Sequence, residues 1–393
     1  MTTTSLPPAG EKLPHYVSEE PFDPRSIERM TTAQERVYLA SQWRLMWWKF
    51  KRHRIALASG IFLAVLYASI LISEFLAPYH YQTRNIDRIY APPQAVHLFH
   101  DGRFIGPFVY GQRYTLNMNN LKREYWTDRT SVQPIRFFCR GDDTYKFWGL
   151  IEGNLRLFCP AKGGTLFLLG TDRLGRDMLS RIIYGARISL TIGLIGVTIS
   201  FVLGLFFGGI AGYYGGVVDL VVQRIIEVLQ SLPSIPLWLA LAAIMPVTWS
   251  PMFVYFAITV ILGLIDWTGL ARAVRSKLLS LREEDYVLAA QLMGAGAPRI
   301  VGRHLVPGFM SHLIASATLA IPSMILGETA LSFLGLGLRA PVTSWGVLLT
   351  EAQNINIVAL YPWLLLPAVP VILVVLAFNF LGDGLRDAAD PYK

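Results

Sequence analysis

Apolar runs long enough to cross a bilayer constrain this chain more than any other feature. A helix needs about 20 consecutive apolar residues to span the hydrocarbon core. Such runs occur at 55–76, 188–210, 252–270, 309–335 and 361–381. A shorter run at 237–247 follows Pro233 and Pro236, which break or kink the path, and it draws length from the apolar residues before them. Composition agrees: of 393 residues, 53% are hydrophobic and 16% charged, with a mean hydropathy of +0.42. The expected fold class is therefore an all-α polytopic membrane protein with about six transmembrane helices. The formal charge of +8 does not point to nucleic acid, because the basic residues cluster beside apolar runs and do not interleave with aromatics on one face. No cleavable leader is expected, since the first apolar run begins near Ile55 behind a long polar stretch.

Residues 1 to about 40 are polar and contain proline, as a flexible cytosolic tail would. From Thr32 to Arg54 the spacing predicts an amphipathic helix, with Trp43, Met46, Trp47 and Phe50 apolar and Arg44, Lys49, Lys51, Arg52 and Arg54 basic, an interfacial anchor ahead of the first span. The tail and this helix form the segment 1–54, and its basic cluster places the N-terminus in the cytoplasm. An even number of crossings puts the C-terminus there too. The segment 77–165 lacks a span and is rich in Tyr, Phe, Arg and Asn with short alternating runs, so it reads as a small, mainly β or irregular insert on the outer side. Both cysteines, Cys139 and Cys159, fall in it. They close a loop of 20 residues as a disulfide worth about 3 kcal/mol in an oxidising compartment, or else remain two buried thiols. A zinc site is not expected, because His97 and His100 have no C-x-x-C partner at a recognised spacing.

Within the segment 166–393, Thr171 is expected to cap a helix carrying Asp172 and Asp177 near its start. Arg173, Arg176, Arg181 and Arg187 then fall on the outer side, against the positive-inside bias. Asp219 and Arg224 stand five apart, which is not a helix pair, so no ion pair is assigned. The fourth span ends with Asp266 near the cytosolic side. Glu328, about 28 Å along the fifth span at 1.5 Å per residue, lies near the outer face. It is either a pathway or outer-gate residue or a hydrogen-bond partner of a neighbouring helix end. Between the fourth and fifth spans, 271–308 is a basic cytosolic segment with a small helix around Ala289 and Ala290, broken at Gly294. Small residues at this spacing let another protein approach the helix closely.

Several of these stretches resemble one family. Leu288, Ala289, Ala290, Gly294 and the ending His304-Leu305-Val306-Pro307 resemble the coupling loop of ABC importer permeases, whose core reads E-A-A-x-x-x-G. Leu288 stands where the family has Glu, and Gly308 where its peptide branch has Asn. The run G-T-D-R-L-G-R-D-M-L-S-R-I-I-Y-G-A-R-I-S-L from Gly170 to Leu190 is similar to the second permease subunit of the dipeptide, oligopeptide and nickel branch. The stretches A-G-Y-Y-G-G-V-V-D, G-E-T-A-L-S-F-L-G-L-G, and Phe378 to Asp387 with Asp390-Pro391 continue the likeness in order. The long outer insert resembles that of oligopeptide and antimicrobial-peptide importers.

The resemblance implies a type I importer permease fold. It implies four kinds of partner: a second homologous permease, two ATPase subunits, a periplasmic substrate-binding protein, and membrane lipid. Asp285, Leu288, Ala289, Ala290, Gly294, Ala295, Arg299, His304 and Pro307 would form the ATPase-coupling surface. No catalytic, cofactor or metal site is implied, ATP being used by the partner subunits. The sequence agrees, having no G-x-x-x-x-G-K-[ST], H-E-x-x-H or G-x-S-x-G motif. The cargo class implied is oligopeptides, with oligosaccharides such as galactosides as the alternative. A proton-coupled transporter would need several acids or histidines deep in the membrane, and the sequence offers only Glu328 by this count.

Overall fold

The computed structural model describes residues 39–118, 122–246 and 248–389. The expected tail over 1–38, the Asp390-Pro391 ending and Val247 of the third run lie outside the described residues. The chain divides into two compact units, 1–45 and 46–393. The first contributes the start of helix α1 (Gln42–Arg52).

In the second unit, α2 (Arg54–Leu71) is the first span, followed by a helical turn at Ser73–Leu76. The later helices are α3 (Met178–Tyr214), α4 (Gly216–Ser231), α5 (Ser234–Ala243), α6 (Pro251–Leu281) and α7 (Asp285–Leu292). They are followed by α8 (Met310–Phe333), α9 (Trp345–Leu349), α10 (Ile355–Leu360) and α11 (Ala368–Ala389). Among the described residues five stretches are long and apolar enough to cross a membrane, and α4 with α5, bent by 86° at Leu232-Pro233, makes a sixth if the bent pair is one broken span. The proline fixes that bend as expected: it cannot continue α4 and opens α5 as its cap.

Helices α3 and α6 form the central pair, and α8 packs on both. Glycine lets the backbones approach. A Cβ at Gly208 would lie 2.5 Å from the Ala271 carbonyl oxygen, and one at Gly193 would lie 2.8 Å from the Ile325 side chain. Around this seam Leu190, Ile192, Ile258, Leu262, Met324 and Ile325 are fully buried. The outer apolar surfaces of α2, α3 and α11 remain exposed, as lipid-facing helices require. In α1, Met46 and Phe50 pack with Ala56 and Ala388, whereas Trp47 stays exposed with Lys51 over its ring. The apolar face expected of an interfacial anchor is thus divided between core and surface.

The insert is β, with β1 (His97–His100), β2 (Arg103–Asn117) and β3 (Lys122–Pro134) in one antiparallel sheet and β4 (Arg136–Phe147) with β5 (Ile151–Cys159) in a second. Cys139 and Cys159 are joined as a disulfide across β4 and β5. The two ends of the insert zip together over the start of α3. The Asn85 amide donates to the Gly175 carbonyl, Tyr90 to Asp172, Thr171 to Ala91, and Gln94 to Phe167.

The helix expected to be capped by Thr171 begins instead at Met178, with Asp177 as its cap: Asp177 Oδ2 accepts from Ser180 N at 2.7 Å. Thr171 serves the insert, donating its hydroxyl to the Arg88 carbonyl and accepting from Ala91 N at 2.7 Å. Asp177 is buried and its Oδ1 has no partner among the described residues. Burial therefore pushes its carboxyl up to about 7. Between the ordinary aspartate value and about 7, the folded chain keeps a proton that the unfolded chain has released, so stability falls as pH rises through this window. Asp177→Asn retains a good cap and removes the titration. The melting temperature of the solubilised variant is expected to decline less steeply between about pH 4 and 7 than that of the wild type. Equal slopes would assign the pH dependence elsewhere.

Candidate functional site

The segment after α6 is held at the end of the molecule opposite the insert, because α3 starts beneath the insert and ends against Arg275 and Leu278 of α6. The two faces of helix α7 divide sharply. Val287 and Ala290 point inward and join Ile300, Leu305 and Phe309 against Val274 and Leu278 of α6 and Leu313 of α8. Asp285, Leu288 and Ala289 point outward, and beyond them Leu292 and Met293 are 90% and 81% exposed. An apolar pair this exposed on a segment so firmly seated is unusual for a surface with no partner.

The end of α7 explains Gly294. Its φ is +81°, its amide donates to Gln291 O at 2.9 Å, and the Ala295 amide donates to Ala290 O at 3.0 Å. This is a Schellman cap, in which glycine takes the left-handed position and the next residue tucks an apolar group under the helix. Ala295 accordingly packs on the buried cluster. The chain then forms a turn at Ala297–Arg299, a wide turn at Ile300–Leu305 and a tight one at Val306–Phe309 leading into α8. Arg299 and Pro307 are exposed and His304 half-buried.

Of the residues singled out in this segment, the structure brings Asp285, Leu288, Ala289 and Gly294 to one outward surface. It does not bring Ala290 there: with 2% exposure, Ala290 is a core residue of this chain and is not open to an approaching protein. Alternate sides of a short helix cannot both face out, and the heavier apolar neighbours of Ala290 decide which goes in.

Glu328 is fully buried near the end of α8. It accepts from Ser344 Oγ at 2.6 Å, Ser332 Oγ at 2.8 Å and Ser189 Oγ at 3.1 Å. Ser344 in turn caps α9, accepting from Val347 N at 3.2 Å. The geometry is that of a hydrogen-bonded clamp on a neighbouring helix end.

Sequence reasoning missed three arrangements. Asp219 has a partner after all, a bidentate one, in Arg275 of α6, while Arg224 pairs with Glu227 at 2.8 Å. The arginines after Gly170 are matched by acids near and far in the chain: Asp172 takes Arg176 Nε at 2.6 Å and also Arg181 Nη1, Glu351 lies 3.7 and 3.8 Å from the same two, and Arg187 meets Glu74 at 2.7 Å. Asp266 lies in mid-helix, because α6 runs on from the expected limit at 270 to Leu281. Arg272 and Arg275 had marked a boundary that the helix does not respect. The signal available was Asp266 itself, a second acid inside an apolar run.

Two family models match. Residues 204–392 match the binding-protein-dependent transport system inner membrane component, and residues 41–93 match the N-terminal TM domain of oligopeptide transport permease C. The chain is 42% identical to the dipeptide transport system permease protein DppC of Bacillus subtilis (strain 168), over 56% of this chain and 68% of that one. It is 40% identical to the oligopeptide transport system permease protein OppC of Haemophilus influenzae, over 61% and 75% respectively. Against DppC of Lactococcus lactis subsp. cremoris the identity is 33%, but the match extends over 88% of this chain and 89% of that one. The sequence motifs, the apolar spans and these matches agree that the chain belongs to the binding-protein-dependent inner membrane components, the permease subunits of ABC importers.

Proposed function

We propose that this chain is one of two permease subunits of an ABC importer for peptides, and that α7 with the turns up to Phe309 is where ATPase subunits drive it. The observation that carries the coupling role is the outward surface of Leu288, Leu292 and Met293 standing on a buried foundation shared with α6 and α8. A push on α7 is transmitted because Val287 and Ala290 interlock with Val274 and Leu278 of α6 and Leu313 of α8. The peptide cargo is supported by the relatives, whose names specify dipeptides and oligopeptides and favour peptides over oligosaccharides.

In this assembly the second permease completes the path, two ATPase subunits bind and hydrolyse ATP, and a periplasmic binding protein delivers cargo on the side of the insert. Both termini and the segment 271–308 then face the cytoplasm, and the disulfide-bonded insert faces the oxidising periplasm.

Affinity purification of the chain from native membranes in mild detergent, with the co-purifying proteins identified by mass spectrometry, tests the assembly. The expected companions are P-loop ATPases and a second permease. Reproducible recovery of this chain alone would overturn the reading. Leu288 is half in water already, so Leu288→Glu is expected to keep the same companions within about twofold, as exposed substitutions cost little. Loss of the ATPase from that variant would show that the partner surface requires an apolar residue here.

A further inference from the structure

The acids of the spans are mostly satisfied by this chain's own residues: Glu328 by three serines and Asp219 by Arg275. Asp266 is different. It sits in mid-α6, half-buried, and no hydrogen bond or ion pair reaches it among the described residues. It opens instead onto a cavity of about 240 Å³ between α3, α6 and α8, which Ser200, Gly269 and Ser316 also line. Ser200 is only 5% exposed and likewise has no hydrogen-bond partner among the described residues.

An aspartate cannot escape from this position. The first basic residue of the helix, Arg272, follows six residues later, about 9 Å along the axis, and the aspartate side chain is too short to reach an interface at that distance. Lipid on this face would leave a carboxylate and a hydroxyl stranded in hydrocarbon, at a cost of several kcal/mol. The cavity therefore faces water or a cation. Its oxygens are all acceptors, or can be, and they suit a group that brings several N–H donors and a positive charge.

We propose that Asp266, with Ser200 and Ser316, forms a cation-binding station on the translocation path that takes the ammonium group of the cargo. The cation site stands on the geometry alone, whereas the choice of an ammonium ligand rests on the peptide reading given above.

The chain provides its own probe. Both native cysteines are consumed in the disulfide, and a Cβ at Gly269 would meet nothing within 4 Å. Gly269→Cys thus adds one thiol at the cavity without a clash. In the assembled complex, this thiol is expected to react with both cationic trimethylammonioethyl and anionic sulfonatoethyl methanethiosulfonate. Adding Asp266→Asn should lower the cationic-to-anionic rate ratio by about tenfold. No reaction with either reagent would mean that lipid or a basic residue of the partner subunit seals the face, and would overturn the site. A ratio unchanged by Asp266→Asn would overturn it as well.

A second arm addresses the ligand, with the complex and its binding protein in proteoliposomes and a tripeptide offered with a free or an acetylated N-terminus. Asp266→Asn is expected to slow uptake of the free-amine peptide by about tenfold and to leave the acetylated one unchanged, with Asp266→Glu restoring the difference. Equal slowing of both would reduce Asp266 to a structural residue. Absence of any peptide uptake by the wild type, with the thiol ratio intact, would refute the peptide reading and leave the cation site standing.

Discussion

Asp172→Asn is expected to destabilise the solubilised chain by about 3–5 kcal/mol, the range for removing one partner of a buried ion pair. Asp172 has no exposure at all, and it is the only residue within hydrogen-bond distance of both Arg176 and Arg181 among the described contacts. Its other oxygen accepts the Leu174 and Arg176 amides at 2.8 and 2.9 Å, so it also shapes the loop that enters α3. An asparagine keeps an acceptor for those amides but turns N–H donors towards two guanidinium groups. Arg176 and Arg181, 8% and 3% exposed, would then depend on Glu351, which stands no nearer than 3.7 Å. Burial pushes the Glu351 carboxyl up, which weakens its hold on charge. Thermal melting in detergent checks the expectation. Combining Asp172→Asn with Arg181→Met should recover part of the loss, since the stranded charge causes the damage and not the missing bond. A single variant that melts within about 1 kcal/mol of the wild type would show that the cluster is hydrated and cheap to break.

That cluster also shows what a sequence can and cannot reveal. The apolar runs are legible because a bilayer demands about 20 apolar residues wherever a helix crosses it. The true helix ends are not. Helix α3 begins ten residues before the expected span and α6 continues eleven past it, because backbone hydrogen bonding persists wherever a helix packs on its neighbour, whatever the lipid does. Four arginines on one side looked like a breach of the positive-inside bias, yet Arg176 and Arg181 are neutralised by Asp172 and Glu351, and Arg187 by Glu74, more than 100 residues away in sequence. Thr171 has the residue type of a cap but is claimed by Arg88 and Ala91, some 80 positions distant. In α7 the motif identified the segment, but only packing told Ala289 from its neighbour Ala290. Local spacing carries local geometry, whereas the choice among chemically equal partners is made by the tertiary fold.

Gly294→Trp is expected to reduce ATPase association and ATP-coupled uptake by more than tenfold while the chain still inserts, whereas Gly294→Asn should keep most of both. Two effects are separable at this position. The backbone effect arises from φ of +81°, which costs an ordinary L-residue about 1–2 kcal/mol and asparagine less. The steric effect does not begin at the Cβ, which meets nothing of this chain within 4 Å. A tryptophan would instead project beside Leu292 and Met293, into the space a docked subunit would fill. Backbone strain alone therefore predicts a modest drop in melting temperature for the free permease, and docking predicts a much larger loss in the quantity of ATPase recovered with it. Measuring both on the same preparations decides between them. If the tryptophan variant melts lower yet retains its ATPase and its uptake, Gly294 is a helix cap and nothing more, and the coupling surface has to be sought away from the end of α7. If melting barely changes and the ATPase is lost, the open space over Gly294 is the footprint of the partner.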